Sequence, residues 1–231
     1  MKTAISILLF WAVASLHATE PEGKSSCSAT PNSTNRFELV KQENNISIYT
    51  RWIPVEEKRS ARQVKVTFAI DAPVEKVLSV LADDSSFTTW MKGTREYRRV
   101  YTVDSGNWYS YIQFSIPWPL NNQDCIIHYE MREHSGTYTE IYLNGEPGYL
   151  AAVDGVTRIS HMEGAWRFVS AGPDRTLVEY VIFSKQPSSF PRWITDPIIQ
   201  NNMIKTMTAF REQVSQVGQV GQVGQVERRA P

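Results

Sequence analysis

A proline-tryptophan-proline run divides the middle of the chain and limits how it can fold. Pro117, Trp118 and Pro119 lie between two strand-like segments and lead into Asp124. Proline lacks the backbone N–H that a sheet requires, so this run cannot lie inside a central strand. We therefore predict a stiff connection between two strands, with a carboxylate at the start of the second strand.

The hydrophobic pattern of the chain predicts many strands and few helices. The predicted strands are Ile46–Trp52, Gln63–Ile70, Glu96–Val103, Trp108–Ile116, Asp124–Glu133, Thr137–Leu143, Arg158–Val169 and Leu177–Ser184. A short helix is predicted before them at Phe37–Gln42, and a long helix after them at Pro191–Val214. This order predicts an α+β fold in which one curved antiparallel sheet wraps around the C-terminal helix.

Capping residues, prolines and apolar spacing predict two amphipathic helices. Asp71 or Ala72 is expected to cap the first helix, with Pro73 in its first turn. Its apolar residues recur at helical spacing and form one stripe: Val74, Val77, Leu78 and Leu81. The final helix contains Pro197, which should bend or delay its start. Its apolar positions include Trp193, Ile198, Met203, Met207, Phe210 and Val214.

The two ends of the chain are expected to lie outside the folded domain. Residues 1–18 are typical of a cleaved secretory signal, because Lys2 precedes the apolar stretch Ala4–Leu16. That stretch is short for a bilayer span, and an uncleaved anchor is the alternative. The predicted segments that follow are a flexible linker (19–35), the domain (36–214) and a disordered Gln-Val-Gly repeat tail (215–231). The mature protein is expected to be periplasmic or secreted.

Charge and cysteine content restrict the possible partners. The formal net charge is zero, which argues against nucleic acid and against polybasic attachment to acidic membranes. A hydrophobic content of 42% and an aromatic content of 11% are ample for one large core. An exported protein could pair Cys27 with Cys125. The preferred interpretation is that Cys125 is an apolar core residue.

Two strands alternate sharply between apolar and polar residues. In the first, Cys125, Ile127, Tyr129 and Met131 are predicted to point inward, whereas Ile126, His128, Glu130 and Arg132 point outward, most of them to solvent. In the second, Met162, Gly164, Trp166 and Phe168 share one face, and His161, Glu163 and Arg167 share the other. The interior is therefore predicted to be broad, aromatic and nearly uncharged.

No catalytic motif accompanies this interior. The chain has no Gly-x-Ser-x-Gly elbow, phosphate loop or dinucleotide fingerprint. Two strand faces carry a histidine two residues before a glutamate: His128/Glu130 and His161/Glu163. A metal site could use such pairs, but solvated cross-strand charges are the preferred interpretation. Asp124 could act as an acid, although capping of backbone N–H groups is preferred. We predict no cofactor, no metal and no catalytic residue.

The connection Asn144–Thr157 is long, rich in glycine and partly apolar. Long loops in compact domains tend to be lids or binding loops. An apolar loop at the mouth of a cavity would suit an apolar ligand. We therefore predict that Tyr149, Leu150 and Val153 form a gate.

Several short motifs occur in an order that resembles the StAR-related lipid-transfer (START) domains, especially bacterial ones. They are Asp71-Ala72-Pro73-Val74, Trp90, Pro117-Trp118-Pro119 with Asp124, Gly164-x-Trp166-x-Phe168 and Pro191-x-Trp193-Ile194. The resemblance covers roughly Phe37–Val214. It implies a helix-grip fold whose internal hydrophobic cavity binds a lipid or another apolar small molecule without metal or nucleotide. It also implies that Asn144–Thr157 and the C-terminal helix form the gate, and that a monomer contacts membranes transiently.

The chain departs from the family pattern at two positions. Gln123 stands where the family usually has an arginine, and Tyr129 occupies the position of an arginine found in some sterol carriers. The resemblance therefore implies a more fully apolar ligand, held by shape and a tyrosine hydroxyl. The predicted cavity-lining residues are Trp90, Ile112, Phe114, Trp118, Cys125, Ile127, Tyr129, Met131, Met162, Trp166, Phe168, Met203 and Met207.

Three functions are compatible with these observations. The first is binding and transfer of a lipid or other hydrophobic molecule. The second is a polyketide cyclase or aromatase of the same superfold, which would need an acid, a base or an arginine inside the cavity. The third is an interaction protein that uses its repeat tail. Because the predicted inward positions carry no charged group, we predict a non-enzymatic lipid-binding protein.

Overall fold

Within the described residues, ten strands form one sheet that encloses the helices on its inner side. The computed structural model describes residues 36–56, 59–116, 121–184 and 192–226, all within the compact unit Ser33–Pro231. The strands are β1 (Glu38–Glu43), β2 (Ile46–Glu56), β3 (Arg59–Ile70), β4 (Thr94–Asp104), β5 (Asn107–Phe114), β6 (Gln123–His134), β7 (Tyr138–Gly145), β8 (Thr157–Arg158), β9 (Met162–Ser170) and β10 (Thr176–Ser184). The helices are α1 (Val74–Leu81), α2 (Phe87–Trp90) and α3 (Arg192–Val226).

The sheet is antiparallel except at one short strand. Its order is β1-β2-β3-β10-β9-β7-β6-β5-β4, and β8 pairs in parallel with the start of β6. The curved antiparallel sheet with a C-terminal helix confirms the predicted α+β helix-grip architecture. The predicted signal and linker, the Pro117–Pro119 turn and residues 227–231 lie outside the described residues.

The first element of the described chain is a strand, so the short helix predicted at Phe37–Gln42 is wrong. β1 pairs with β2 through a tight turn in which Asn44 and Asn45 both have positive φ, 52° and 57°. Asparagine tolerates this conformation, which matches the right-handed twist of a two-residue hairpin. The Phe37 ring lies under the cation of Lys65 at 4.5 Å. Pairing with β2 therefore overrides the local helical signal.

Helix α1 begins one residue later than the capping signals suggest. Pro73 is its N-cap, and no side chain caps the helix. Asp71 is exposed and pairs with Arg175 instead. The hydroxyl of Thr176 donates a 2.7 Å hydrogen bond to the carbonyl of Ala72, which holds the start of α1 against β10. A tertiary hydrogen bond, and not a side-chain cap, thus holds the start of α1 in place.

The predicted strand Arg158–Val169 is interrupted in the structure. Thr157 and Arg158 form β8 beside β6, and β9 begins only at Met162. Arg158 is turned toward Asp124, which is next to it in the parallel pairing. The ion pair between these two side chains accounts for the break.

Helix α3 packs its middle part against the sheet. Its buried residues are Ile204, Thr206, Met207, Phe210 and Val214, whereas Trp193 and Ile198 are exposed. The helix continues to Val226, which differs from the disordered tail expected from residue 215. The repeat contains no proline, so helical hydrogen bonding can propagate from the packed turns. Within the described ranges, none of the helices combines the length and the apolar character that a membrane span requires.

Aromatic rings fill the centre of the molecule. The ring of Trp90 lies 4.8 Å from Phe210 and 6.5 Å from Trp166, and the ring of Trp166 lies 4.2 Å from Tyr180. These contacts join α2, α3, β9 and β10. They account for the position of the C-terminal helix inside the curve of the sheet.

Candidate functional site

All the predicted cavity-lining residues that the structure describes come together on the inner side of the sheet. Nine are buried in one apolar cluster: Trp90, Ile112, Cys125, Ile127, Tyr129, Met162, Trp166, Phe168 and Met207. Three are partly buried against that cluster: Phe114, Met131 and Met203. Trp118 lies outside the described residues. Contact between these residues and a ligand stays a prediction.

A pocket of about 230 Å³ opens between α1 and the inner face of the sheet. Its walls are Leu78, Ser79, Leu81, Ala82, Ser105, Trp108, Met131 and Ile141. Met131 belongs to the predicted set. The additional apolar walls come from the stripe of α1 and the inward faces of β5 and β7, so the same periodicity could have identified them. Because a cavity of roughly 150 Å³ can hold benzene, this pocket has room for a small apolar group.

A second pocket, of about 380 Å³, lies on the outer face of the sheet. Its walls include Arg167 and Glu179, whose side chains form a 2.7 Å ion pair. Arg167 also pairs with Glu140, and Lys65 lies 3.7 Å from Glu179. A wall of mutually paired charges suits water better than an apolar ligand, so the inner pocket is the candidate site.

The inner face of the sheet carries a charged group at its edge, whereas the sequence analysis predicted no charged inward position. Arg99 of β4 lies opposite the inward-facing Ser110, and its guanidinium lies 5.0 Å from the centre of the Trp108 ring. It is held by Asp84 through contacts of 2.9 Å from Nε and 2.8 Å from Nη2. The expectation that no arginine faces inward is therefore wrong. The alternation of β4 contained the signal, since Arg99 lies two residues from the inward-facing Tyr97.

Two tyrosines complete the polar part of the interior. The hydroxyl of Tyr97 lies 2.9 Å from Asp84 and 3.0 Å from the hydroxyl of Ser110, and burial raises the pKa of Tyr97 to about 12. Tyr129 stacks on Trp108 at 4.8 Å. The Tyr129 side chain is buried, its hydroxyl makes no hydrogen bond to any described residue, and burial raises the pKa of Tyr129 well above the usual value. Both phenols are therefore uncharged at physiological pH.

Asp124 forms a buried ion pair and does not cap a backbone segment as predicted. Arg158 donates to both carboxylate oxygens, from Nε at 2.7 Å and from Nη2 at 3.0 Å. The remaining donors of Arg158 bind the carbonyls of Pro147, Leu150 and Ala151 at 2.7–3.1 Å. All five N–H groups of the guanidinium are therefore engaged. This arrangement fixes the loop after β7 to the start of β6.

The loop predicted as a gate lies on the outer face of the sheet. The ring of Tyr149 stacks on Tyr109 at 4.4 Å, and Tyr109 faces away from the interior because it follows the inward-facing Trp108. Leu150 is partly buried and Val153 is exposed. This placement differs from the expected lid over a cavity mouth, since the inner pocket opens beside α1. A gating role for these residues stays a prediction.

The outer face near this loop is also more buried than predicted. Ile126 points outward as expected, yet it is 1% exposed. Its carbonyl accepts a 2.9 Å hydrogen bond from the N–H of Glu146, at the start of the loop. Long-range coverage by the loop is not visible in the alternation of a single strand.

The four side chains of the two histidine-glutamate pairs all make contacts within the protein. His161 lies 3.1 Å from Glu163, while His128 contacts Asn107 and Glu130 pairs with Arg132. Among the described residues, no group of three histidine, cysteine, aspartate or glutamate side chains is arranged to hold a metal ion.

Cys125 is free and buried, which favours its interpretation as a core residue. Burial raises the pKa of its thiol from 9.0 to about 12.

Because the thiol has the lower pKa in the unfolded chain, the unfolded chain loses this proton first as the pH rises. The stability that the neutral Cys125 thiol contributes below pH 9 is therefore lost as the pH rises toward 12. At pH 10.5 we expect about 2 kcal/mol of loss from this group. Urea unfolding of the wild type and Cys125→Ala at pH 7.5 and 10.5 measures it, and equal pH dependence in both proteins would contradict the prediction.

A curved antiparallel sheet that holds a C-terminal helix against an aromatic interior defines the START-like class of folds. Residues 61–217 match the family described as "Polyketide cyclase / dehydrase and lipid transport", and the chain belongs to this family. The predicted START resemblance is confirmed.

Solved structures of the same class match most of the described domain. A STAR-related lipid transfer protein from Xanthomonas axonopodis is 24% identical, with a TM-score of 0.67 over 78% of this chain and 98% of that one. Human STARD10 is 18% identical, with a TM-score of 0.67 over 80% of this chain and 76% of that one. The Zhui aromatase/cyclase from Streptomyces sp. R1128 is 15% identical, with a TM-score of 0.52 over 68% of this chain and 94% of that one. At these identities the likeness shows the fold.

Proposed function

We propose that this protein binds a lipid or another apolar small molecule in its interior and carries it unchanged. The observation that carries the proposal is the inner pocket, whose eight lining residues include no ionisable side chain. The family description and the Xanthomonas lipid transfer protein of the same fold support this proposal. Extraction and mass spectrometry of the compound that co-purifies with the protein under native conditions tests it.

We further propose that the mature protein is exported and contacts membranes transiently as a monomer. The support is the apolar stretch Ala4–Leu16 behind Lys2, together with the need of a lipid carrier to reach a bilayer. N-terminal sequencing of protein from the extracytoplasmic fraction tests the location. An intact Met1 on protein in the cytoplasmic fraction would reject it.

An aromatase or cyclase activity is the second candidate. The inward-facing Arg99 and Tyr97, together with the exposed Asp84 that binds both, favour it, because they place charged and phenolic groups near an apolar pocket. Arg99 and Asp84 bind each other, however, and Tyr97 has a pKa near 12, which makes it a poor base at neutral pH. These contacts support binding over proton transfer. A product that differs in mass from the added polyketide would support the enzyme instead.

Filling the inner pocket should block ligand uptake with little loss of stability. Met131→Trp is expected to weaken displacement-measured binding of the neutral fluorophore N-phenyl-1-naphthylamine by about tenfold or more. Since the added ring occupies open space, it should avoid most of the about 1–3 kcal/mol that overpacking costs in a close-packed core. Glu133→Trp, at an exposed position of the same strand, is the control.

Urea unfolding of Met131→Trp and Glu133→Trp distinguishes a filled pocket from a destabilised protein. Unchanged fluorophore binding in folded Met131→Trp would show that this pocket is not the binding site. Leu78→Trp, which enters the same pocket from α1, repeats the test if Met131→Trp does not fold.

A further inference from the structure

Arg99 lies at the edge of the inner pocket, between two of its walls. Its Nη2 group donates a 3.0 Å hydrogen bond to the carbonyl of Ala82, and its guanidinium lies 5.0 Å from the centre of the Trp108 ring. Ala82 and Trp108 both line the pocket. A ligand that entered between α1 and the turn after β4 would therefore pass close to this guanidinium.

One end of the Arg99 guanidinium, Nη1, has N–H donors without a hydrogen-bond partner among the described residues. Its Nε and Nη2 groups bind Asp84 and Ala82, and the neighbouring Tyr97 hydroxyl also interacts with the guanidinium. Nη1 makes no hydrogen bond of ordinary geometry within the described part of the chain. The side chain is 23% exposed, so Nη1 is not sealed in the core. Two N–H donors therefore remain available beside an apolar pocket.

The charges around this edge disfavour an anionic ligand. Asp84 already neutralises Arg99 through a 2.8 Å contact. Two further carboxylates, Asp83 and Asp104, adjoin pocket-lining residues in the sequence. Hydrogen bonds from Ser85 lower the pKa of Asp83, which keeps it ionised. Asp84 is the carboxylate that contacts Arg99, so the donors of Nη1 lie in surroundings that are close to neutral.

We propose that the ligand is an apolar molecule that ends in an uncharged oxygen acceptor, such as an ester or ketone carbonyl, and that Nη1 of Arg99 donates to this oxygen. The hydrocarbon part then lies against Leu78, Met131 and Ile141. A carboxylate would gain the same hydrogen bond but would meet the carboxylate of Asp84, which already neutralises this cation. This inference rests on the proposed function and narrows its ligand class.

Competition between an ester and the matching carboxylate tests whether the site prefers an uncharged oxygen acceptor. Methyl octanoate and octanoate are each titrated against N-phenyl-1-naphthylamine bound to the full-length protein at neutral pH. The ester should displace the fluorophore at about a tenfold lower concentration than the anion. Arg99→Met should weaken ester binding by about tenfold, which is typical of losing a hydrogen bond to a charged donor. Arg98→Met is the control, because Arg98 lies on the outer face over Tyr111.

The Asp84→Asn variant distinguishes an Arg99 that contacts the ligand from an Arg99 that has only a structural role. The amide can still accept a hydrogen bond from Arg99, but the compensating charge is gone. Octanoate binding should then improve about tenfold relative to the ester, because the cation at the pocket edge is no longer neutralised. An unchanged ratio of the two affinities would overturn the inference.

Further outcomes separate this inference from the proposed function. Arg99→Lys keeps the charge but lacks the planar fork, so it should lose ester affinity as Arg99→Met does, and it replaces that variant if Arg99→Met does not fold. Ester binding that survives both substitutions, or equal binding of ester and anion by the wild type, contradicts the inference alone. A wild-type protein that binds neither the fluorophore nor the ester contradicts the proposed function as well.

Discussion

Replacing Arg158 by methionine is expected to destabilise the protein by about 3–5 kcal/mol. The substitution leaves the carboxylate of Asp124, which is 1% exposed, without its cation. It also removes the donors that hold the carbonyls of Pro147, Leu150 and Ala151. Urea unfolding at neutral pH measures the loss, and hydrogen exchange in residues 146–156 should rise at the same time. The melting temperature should fall by roughly 10 °C.

An exposed ion pair of the same chemistry provides the control. Arg132→Met removes a cation that pairs with Glu130 where both side chains are nearly half exposed, so its cost should stay below about 1 kcal/mol. The double variant Asp124→Leu/Arg158→Met should be more stable than Arg158→Met, because no orphaned carboxylate remains. A loss in Arg158→Met no larger than in the control would mean that the buried pair does not hold this region.

Replacing Gly164 by alanine is the second large effect, with an expected destabilisation of about 3 kcal/mol. A Cβ at this position would lie 2.5 Å from the carbonyl oxygen of Val181 in the neighbouring strand. The obstructing atom belongs to the backbone of a central strand, so a side-chain rotation cannot relieve the contact. Gly164 faces Leu143 and Ile182 in the sheet register, and the shift would therefore spread through β7, β9 and β10.

Gly136→Ala is the matched control for this substitution. Nothing lies within 4 Å of a Cβ built at Gly136, and its φ is not in the left-handed region. Its effect should lie between zero and a small stabilisation of less than about 1 kcal/mol. Thermal and urea unfolding of the two variants make the comparison. Equal stabilities would show that the sheet can relax around an added methyl group at Gly164.

The two faces of the sheet near β6 carry different features, an anchored loop outside and a pocket inside. On the outer face, the Asp124–Arg158 pair anchors the loop that carries Tyr149. On the inner face, Trp108 and Tyr129 stack beside the pocket that opens at α1. The anchored loop and the pocket therefore lie on opposite sides of the same strands. Loop order and ligand uptake can be tested independently with the variants above.

Local periodicity was enough to predict much of the fold and the composition of the interior. The alternation of β6 identified Cys125, Ile127 and Tyr129 as inward-facing, because successive side chains of any strand point to opposite faces. The apolar spacing of α1 likewise identified Leu78 and Leu81, which line the pocket. These features depend only on backbone geometry and the order of residues, so the sequence alone determined them.

Tertiary structure decided the features that depend on a distant partner. Phe37–Gln42 has a local pattern compatible with a helix, but β2 supplies a pairing edge that makes it a strand. Asp124 meets Arg158, 34 residues away, only because β8 runs beside the start of β6. The same long-range packing placed Tyr149 on the outer face. Periodicity determines which way a side chain points, whereas sheet order and register determine what it meets.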